Sequence, residues 1–331
     1  MRAPRWSRLL AALLATAVGT GIAAAALPDN PYQRFQYAGG TINAGLRRTY
    51  ERINDDPTPI DVAIVGASRT MLGLSEDRIA HDLALAGKPA LVANLSVVGE
   101  GRNLEWVVAD ELYRHASPRV LILPITENPP KIGHPVFRLV APAAAIAVPA
   151  APLLYSAPGD LIYLPFRQLS LFVARAWPEA LHLPATFDAA AYARAPHDLT
   201  VSHRAESGRW IEMDRPMTAA ALRVEQRVED KPVHSLPPRL MALLSDDEMV
   251  YVRQIIALTA AHRSRICFVF LPHFEGSVAI PHRDFYARHG TIVSVADLRD
   301  DSSKFQGWNH LNRAGAVIAS DRVAAAIVGA L

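Results

Sequence analysis

Cysteine is nearly absent from this 331-residue chain, Cys267 being the one thiol. A lone cysteine closes no internal disulfide, and the count excludes a cysteine-based metal site. It stands in the apolar run Ile266-Cys267-Phe268-Val269-Phe270, which predicts a buried, inert thiol. An excess of one charge is missing too. With 34 basic and 32 acidic residues the net charge is +2 and no long basic or acidic run occurs, so no nucleic-acid partner is expected. Internal repeats are lacking. His134, His262, His282 and His289 show no metal-ligand spacing and read as surface residues.

What is present starts at the N-terminus. Arg2, Arg5 and Arg8 precede an apolar stretch from Leu9 to about Ala26 that contains no charge. Cations ahead of such a stretch stay on the cytoplasmic side, so the rest of the chain is expected to be translocated. At about 1.5 Å per residue the stretch is long enough for a thin bilayer. Its end, Ala23-Ala24-Ala25-Ala26, also fits a small-residue cleavage site. Signal peptide or membrane anchor, residues 1–26 predict a periplasmic or other extracytoplasmic protein, anchored to the inner membrane if the segment is kept. Residues 27–58 are polar and mixed and read as a juxtamembrane stalk with a short helix around Asn43 to Arg52.

From residue 59 onward, short apolar runs alternate with amphipathic helices. Ile60–Val65, Ala90–Leu95, Arg119–Ile125, Arg265–Leu271 and Thr291–Val295 read as strands, the first nearly all apolar as a strand buried on both faces must be. Helices are expected from Ser75 to Gly87, Asn103 to His115, Asp246 to His262 and Ala314 to Leu331. This order predicts an α/β fold with a flavodoxin-like, doubly wound parallel sheet of five strands, its site at the carboxyl ends of the strands. Residues 131–245 interrupt the rhythm as a large insertion between the third and fourth strands. The 25 prolines cluster between residues 124 and 238, which predicts broken, irregular structure there. The apolar piece Val136–Pro158 is read as a second membrane span, a lid or an insert packed on the sheet. Leu161, Ile162, Leu164, Phe166, Leu169, Leu171 and Phe172 suit a lipid surface or a partner.

Polar residues at the predicted strand ends carry the candidate chemistry. Gly66-Ala67-Ser68-Arg69-Thr70 follows the first strand, a sharp turn that raises a serine hydroxyl at the sheet edge, although Thr70 departs from the Gly-x-Ser-x-Gly elbow. On its own such a serine more often caps a helix than attacks anything. Asn94-Leu95-Ser96-Val97-Val98-Gly99-Glu100-Gly101 follows the second strand and Thr126-Glu127-Asn128 the third. Leu271-Pro272-His273 follows the fourth, and Trp308-Asn309-His310-Leu311-Asn312-Arg313-Ala314-Gly315 precedes the last helix. Arg69 and His273 are candidate substrate contacts.

In this order the blocks Gly66-x-Ser68, the Asn94–Gly99 loop, Thr126–Asn128 and His310-Leu311-Asn312-x-x-Gly315 resemble those of SGNH/GDSL-type hydrolases. The flavour is that of the membrane-anchored envelope branch related to teichoic-acid D-alanylation and alginate O-acetylation proteins. The resemblance covers residues 60–128 and 248–331. It implies a serine esterase or O-acyltransferase that needs no cofactor and no metal. Its partners would be an acylated glycan or lipid-linked substrate, the membrane through the N-terminal segment, and a polysaccharide-modification complex. Ser68 would be the nucleophile and His310 the general base, with Ser68 and Gly99 N–H groups and Asn128 as oxyanion donors, Thr126 or Glu127 being the alternatives to Asn128. Two positions depart from the pattern. The third block lacks the family's Gly-x-Asn-Asp, and Gly307 stands where the family has an aspartate three residues before the histidine. Asp300 or Asp301 is the expected substitute, with Asp297 nearby. A chain without such an acid would instead be a catalytically inactive glycan-binding or scaffolding protein.

Overall fold

The computed structural model describes residues 5–39, 41–43, 45–127, 133–152, 155–204, 209–229 and 247–331. Its centre is one sheet of β1 (Val62–Ile64), β2 (Val92–Asn94), β3 (Val120–Pro124), β6 (Arg265–Phe270) and β7 (Thr291–Ser294), in the order β2-β1-β3-β6-β7. Every neighbouring pair is parallel. Two small antiparallel pairs lie outside it, β4 (His203–Arg204) with β5 (Trp210–Ile211) and β8 (Phe305–Gly307) with β9 (His310–Leu311). The expected α/β class, the five parallel strands and the flavodoxin-like order are all present.

The sheet is buried on both faces because its strands are apolar at consecutive positions. Side chains alternate between two cores. Ala63, Leu121, Leu123, Phe268 and Phe270 meet Leu104, Val108 and Leu112 of helix Arg102–His115 and Val252 and Ile255 of helix Asp247–Ala261. Val62, Ile64, Ile122, Cys267 and Val269 meet Ile79 and Leu83 of helix Glu76–Leu85 and Ala319, Val323 and Ile327 of helix Arg313–Ile327. Cys267 is buried as expected, and desolvation pushes its thiol up to about 12.

The segment read as a stalk is instead folded onto the domain. Helices Pro31–Gln36 and Leu46–Asn54 put Phe35, Leu46 and Ile53 into the first core. The Gln33 amide donates to Ala174 O at 3.0 Å and Leu183 O at 2.8 Å. Polar composition suggested a tether; a few apolar side chains at helical spacing were enough for docking. Val136–Pro158 holds no membrane-length helix among the described residues. Its short helices Phe137–Val140 and Ala143–Ala147 bury Phe137, Val140 and Ile146 against the first core, the packed-insert alternative. Helix Trp6–Ala25 is long and apolar enough to cross a membrane and is nowhere buried inside the protein.

Glu76 opens its helix behind the capping Ser75 and is held in a largely buried place, where its carboxylate accepts from Asn94 N at 2.6 Å. Desolvation raises its pKa to about 7, against 4.5 in the open chain. The folded state therefore binds this proton more tightly than the unfolded one, so the contribution is present below pH 4.5 and lost as pH rises through 7. Replacing the charge should recover roughly 3 kcal/mol above pH 7. Thermal melts of Glu76→Gln and the parent protein should coincide near pH 4 and separate, with the variant more stable, by pH 8. A constant difference across that range would refute the assignment.

Candidate functional site

The turn after β1 brings Ser68 to the carboxyl edge of the sheet as the first residue of helix Ser68–Gly73. Gly66 is required there, since a Cβ would lie 2.2 Å from Thr70 Oγ1 and 2.9 Å from Pro124 Cγ. Among the described residues no backbone carbonyl accepts the Ser68 N–H, which leaves it available to an incoming oxygen. The loop after β2 closes on the same turn through Val97 N, which donates to Gly66 O at 2.9 Å. Two residues further on, Gly99 takes a left-handed conformation (φ 90°) that favours glycine.

His310 arrives from the other end of the chain. Its Nε2 lies 2.9 Å from Ser68 Oγ. The motif around it is explained by packing. The Asn312 side-chain Oδ1 accepts from Gly315 N at 3.1 Å and caps helix Arg313–Ile327, and a Cβ on Gly315 would lie 2.6 Å from Lys304 O. Desolvation first, then Arg69 and, less, His273, with Glu100 opposing, together lower the imidazole pKa to about 4. His310 is therefore neutral near pH 7, the state in which Nε2 accepts the serine proton.

The expected third members are elsewhere. Asp300 pairs with Arg299 and is exposed; Asp301 caps Ser303 and faces Lys304. Their short 3₁₀ turns, Ala296–Asp300 and Ser302–Lys304, turn both carboxylates to solvent. Asp297 pairs with Arg322. The position left open by Gly307 is approached instead by Glu225 of helix Ala219–Glu229. A Cβ on Gly307 would lie 3.4 Å from Glu225 Oε1 and 3.5 Å from His310 Nδ1, so both atoms border the space a side chain at 307 would take. Glu225 Oε2 accepts from Trp308 N at 2.9 Å. The helix is seated by Leu222, fully buried in the second core, and by the Arg223–Glu275 pair. No spacing rule points to Glu225, which lies 85 positions before His310 in a stretch read as loop-rich.

The other candidates are engaged with one another. Arg69 is buried, paired with Glu100 and donating to Leu271 O at 3.3 Å, so it braces the site from behind. His273 Nδ1 pairs with Glu127 at 3.2 Å and stacks on Trp308. Thr126 Oγ1 accepts from Arg102 at 3.0 Å. Asn128 lies outside the described residues. His134 is a correction: it is buried rather than on the surface, with Nε2 at 2.9 Å from Val98 O and its Nδ1 accepting from Val136 N. It fills the space over Gly99 and Gly101, where a Cβ would meet it at 2.5 Å in each case. His262, His282 and His289 are exposed as expected.

A cavity of about 380 Å³ opens beside the serine turn, between β2, helix Leu46–Asn54 and residues 192–199. It does not contain Ser68 or His310, but Met71 and the Ser96–Val98 loop form part of its wall. Ser96 and Asn43 are among its lining residues, and their side-chain oxygens, closed off from solvent, have no hydrogen-bond partner among the described residues. The molecule is thus a five-stranded parallel α/β protein with a serine–histidine pair at the carboxyl edge of its sheet. Compared with known proteins, the chain matches no family model, no curated protein and no solved structure.

Proposed function

We propose that this protein is a serine ester hydrolase or O-acyltransferase of the SGNH type, held at the cell envelope by the membrane-spanning helix Trp6–Ala25 and acting on an acylated glycan or lipid-linked acyl donor. The Ser68–His310 contact of 2.9 Å carries the reading. Ser68 Oγ attacks the ester carbonyl while its proton passes to His310 Nε2. The C–O bond to the leaving alcohol then breaks, and that alcohol takes the proton back. Water or a sugar hydroxyl attacks the acyl-enzyme in the second half and releases an acid or a new ester. The N–H groups of Ser68 and Gly99 serve the oxyanion. The cavity beside the serine turn, with Asn94, Thr49, Arg52 and Asp56 among its lining residues, supports a polar ligand such as a sugar. A fluorophosphonate probe should form a covalent adduct on the peptide containing Ser68. A folded protein that never labels would overturn the reading.

Glu225 takes the role of the acid as a positioning residue, electrostatically favouring the imidazolium that forms during attack. It stands beyond the Gly307 gap rather than in hydrogen-bond contact. Its loss should therefore cost about tenfold in labelling rate, well below the roughly 10⁴ lost when the acid bonded directly to the histidine of a Ser-His-Asp triad loses its charge. Glu225→Gln with Gly307→Asp moves the carboxylate across the gap and should restore or exceed the parent rate. An unchanged rate in Glu225→Gln alone would remove Glu225 from the mechanism. The competing account, a glycan-binding or scaffolding protein, draws on the absence of any carboxylate bonded to His310 Nδ1 among the described residues, and predicts no labelling at all.

A further inference from the structure

Helix Ala157–Ala176 has its polarity inverted for a surface in water. Arg167 is fully buried, its guanidinium donating to Ala141 O at 2.6 Å, Arg138 O at 3.2 Å and Gln168 Oε1 at 2.7 Å. Asp160 and Gln168 are buried as well. The outward side carries Leu161, Ile162, Phe166, Leu169 and Phe172, with Ile162 80% and Phe166 59% exposed. No charged residue joins that exposed face before Arg175. A helix bordering water presents the opposite pattern, and an apolar face this continuous marks a surface that something covers. Charges turned inward onto backbone oxygens are what hydrocarbon surroundings require.

Two contacts tie this helix to the N-terminal one. A Cβ on Gly21 would lie 3.9 Å from Pro165 Cγ, and Gln168 Nε2 donates to Leu27 O at 2.7 Å. From the first contact to the second both chains advance in the same direction. Leu161 and Ile162 therefore run back alongside the part of Trp6–Ala25 that precedes Gly21, which is apolar and unburied. Leu161 stands four residues before Pro165, about 6 Å further along the helix. Exposed Arg175 and Trp177 lie at the opposite end, the residue types favoured at a membrane–water boundary.

We propose that helix Ala157–Ala176 enters the bilayer beside the N-terminal helix, with Leu161, Ile162 and Phe166 against lipid acyl chains. The inference rests on Trp6–Ala25 being a membrane span. The domain is then held on the membrane by two adjoining elements, and because residues 31–54 are folded onto it no slack tether intervenes. The Ser68–His310 edge consequently keeps one orientation to the lipid surface.

The test uses the full chain in phosphatidylcholine–phosphatidylglycerol vesicles, with single cysteines in turn at Leu13→Cys, Leu85→Cys, Ile162→Cys and Phe166→Cys carrying an environment-sensitive maleimide fluorophore. Buried Cys267 does not compete for the label. Probes at 162 and 166 should lose most of their emission to lipids bearing a quencher on the acyl chain and resist aqueous iodide. The probe at 85, on exposed Leu85, should do the reverse. Iodide quenching at 162 and 166 would overturn the proposal, and so would shielding from both quenchers, which would mean that protein covers the face. The probe at 13 separates the two readings. Lipid-quenched 13 beside water-exposed 162 sinks the second element alone, whereas water-exposed 13 sinks the membrane span with it.

Discussion

Ser68→Ala is expected to abolish fluorophosphonate labelling and to lower hydrolysis of a small activated ester by about 10³-fold or more, because Ser68 is the hydroxyl bonded to the imidazole. The substitution is a clean one structurally. Ser68 is the first residue of its helix, the capping position before it is Ala67, and the hydroxyl bonds to His310. Losing that one hydrogen bond should cost about 1 kcal/mol of stability, so a melting curve close to the parent's would accompany the loss of activity. Labelling that persists in a folded Ser68→Ala protein would move the nucleophile elsewhere and end the proposed mechanism. Glycan binding that survives in this variant would tie the cavity beside β2, rather than the serine, to recognition.

The second large effect concerns His310. Its replacement by alanine should slow labelling by about 10²- to 10⁴-fold, the usual contribution of a positioned general base. The pH profile is the sharper reading. The neutral ring is the base, and desolvation followed by Arg69 and His273 lowers its pKa to about 4, so the rate should be flat from about pH 5 upward and fall about tenfold per unit below about pH 4. An acid limb near the ordinary histidine value of about 6.5 would contradict the desolvated base described here. Arg69→Met removes a cation that opposes the imidazolium, so the limb should move to higher pH in that variant. Stability follows the same sign. A folded pKa below the unfolded one means that the contribution of the neutral ring is complete above about pH 6.5 and is lost as pH falls towards 4.

The parts of the fold that were legible in the sequence are those written in short-range patterns. Five apolar runs divided by amphipathic helices predicted five parallel strands, and the observed strands fall inside those runs, differing by at most two residues at either end. Cys267 was legible as a core residue from its neighbours alone. Ser68 and His310 were singled out because the motifs that hold them, a strand-to-helix turn and a capped helix start, occur in an order that resembles the SGNH/GDSL-type blocks, although 242 positions separate them. His134 was not legible. Its burial depends on the space over Gly99 and Gly101, which no periodicity around residue 134 announces. Residues 27–58 misled for the same reason, since their few apolar side chains acquire meaning only against the surface they meet.

The acid of the site shows the division most clearly. Asp300 and Asp301 were expected because they are near His310 along the chain, yet the direction of a side chain in a 3₁₀ turn is set by local backbone geometry, and both face solvent. Glu225 is distant in sequence and near in space because Leu222 and the Arg223–Glu275 pair dock its helix against the β8–β9 turn. By itself the sequence determined the five strands, the helices between them and the boundary turns that hold Ser68 and His310, since hydrophobic period and capping act over one or two turns. Tertiary structure alone decided which carboxylate borders the space beside the histidine, which charges turn inward, and which apolar helix face is left outside, since each follows from packing between segments with no local relation.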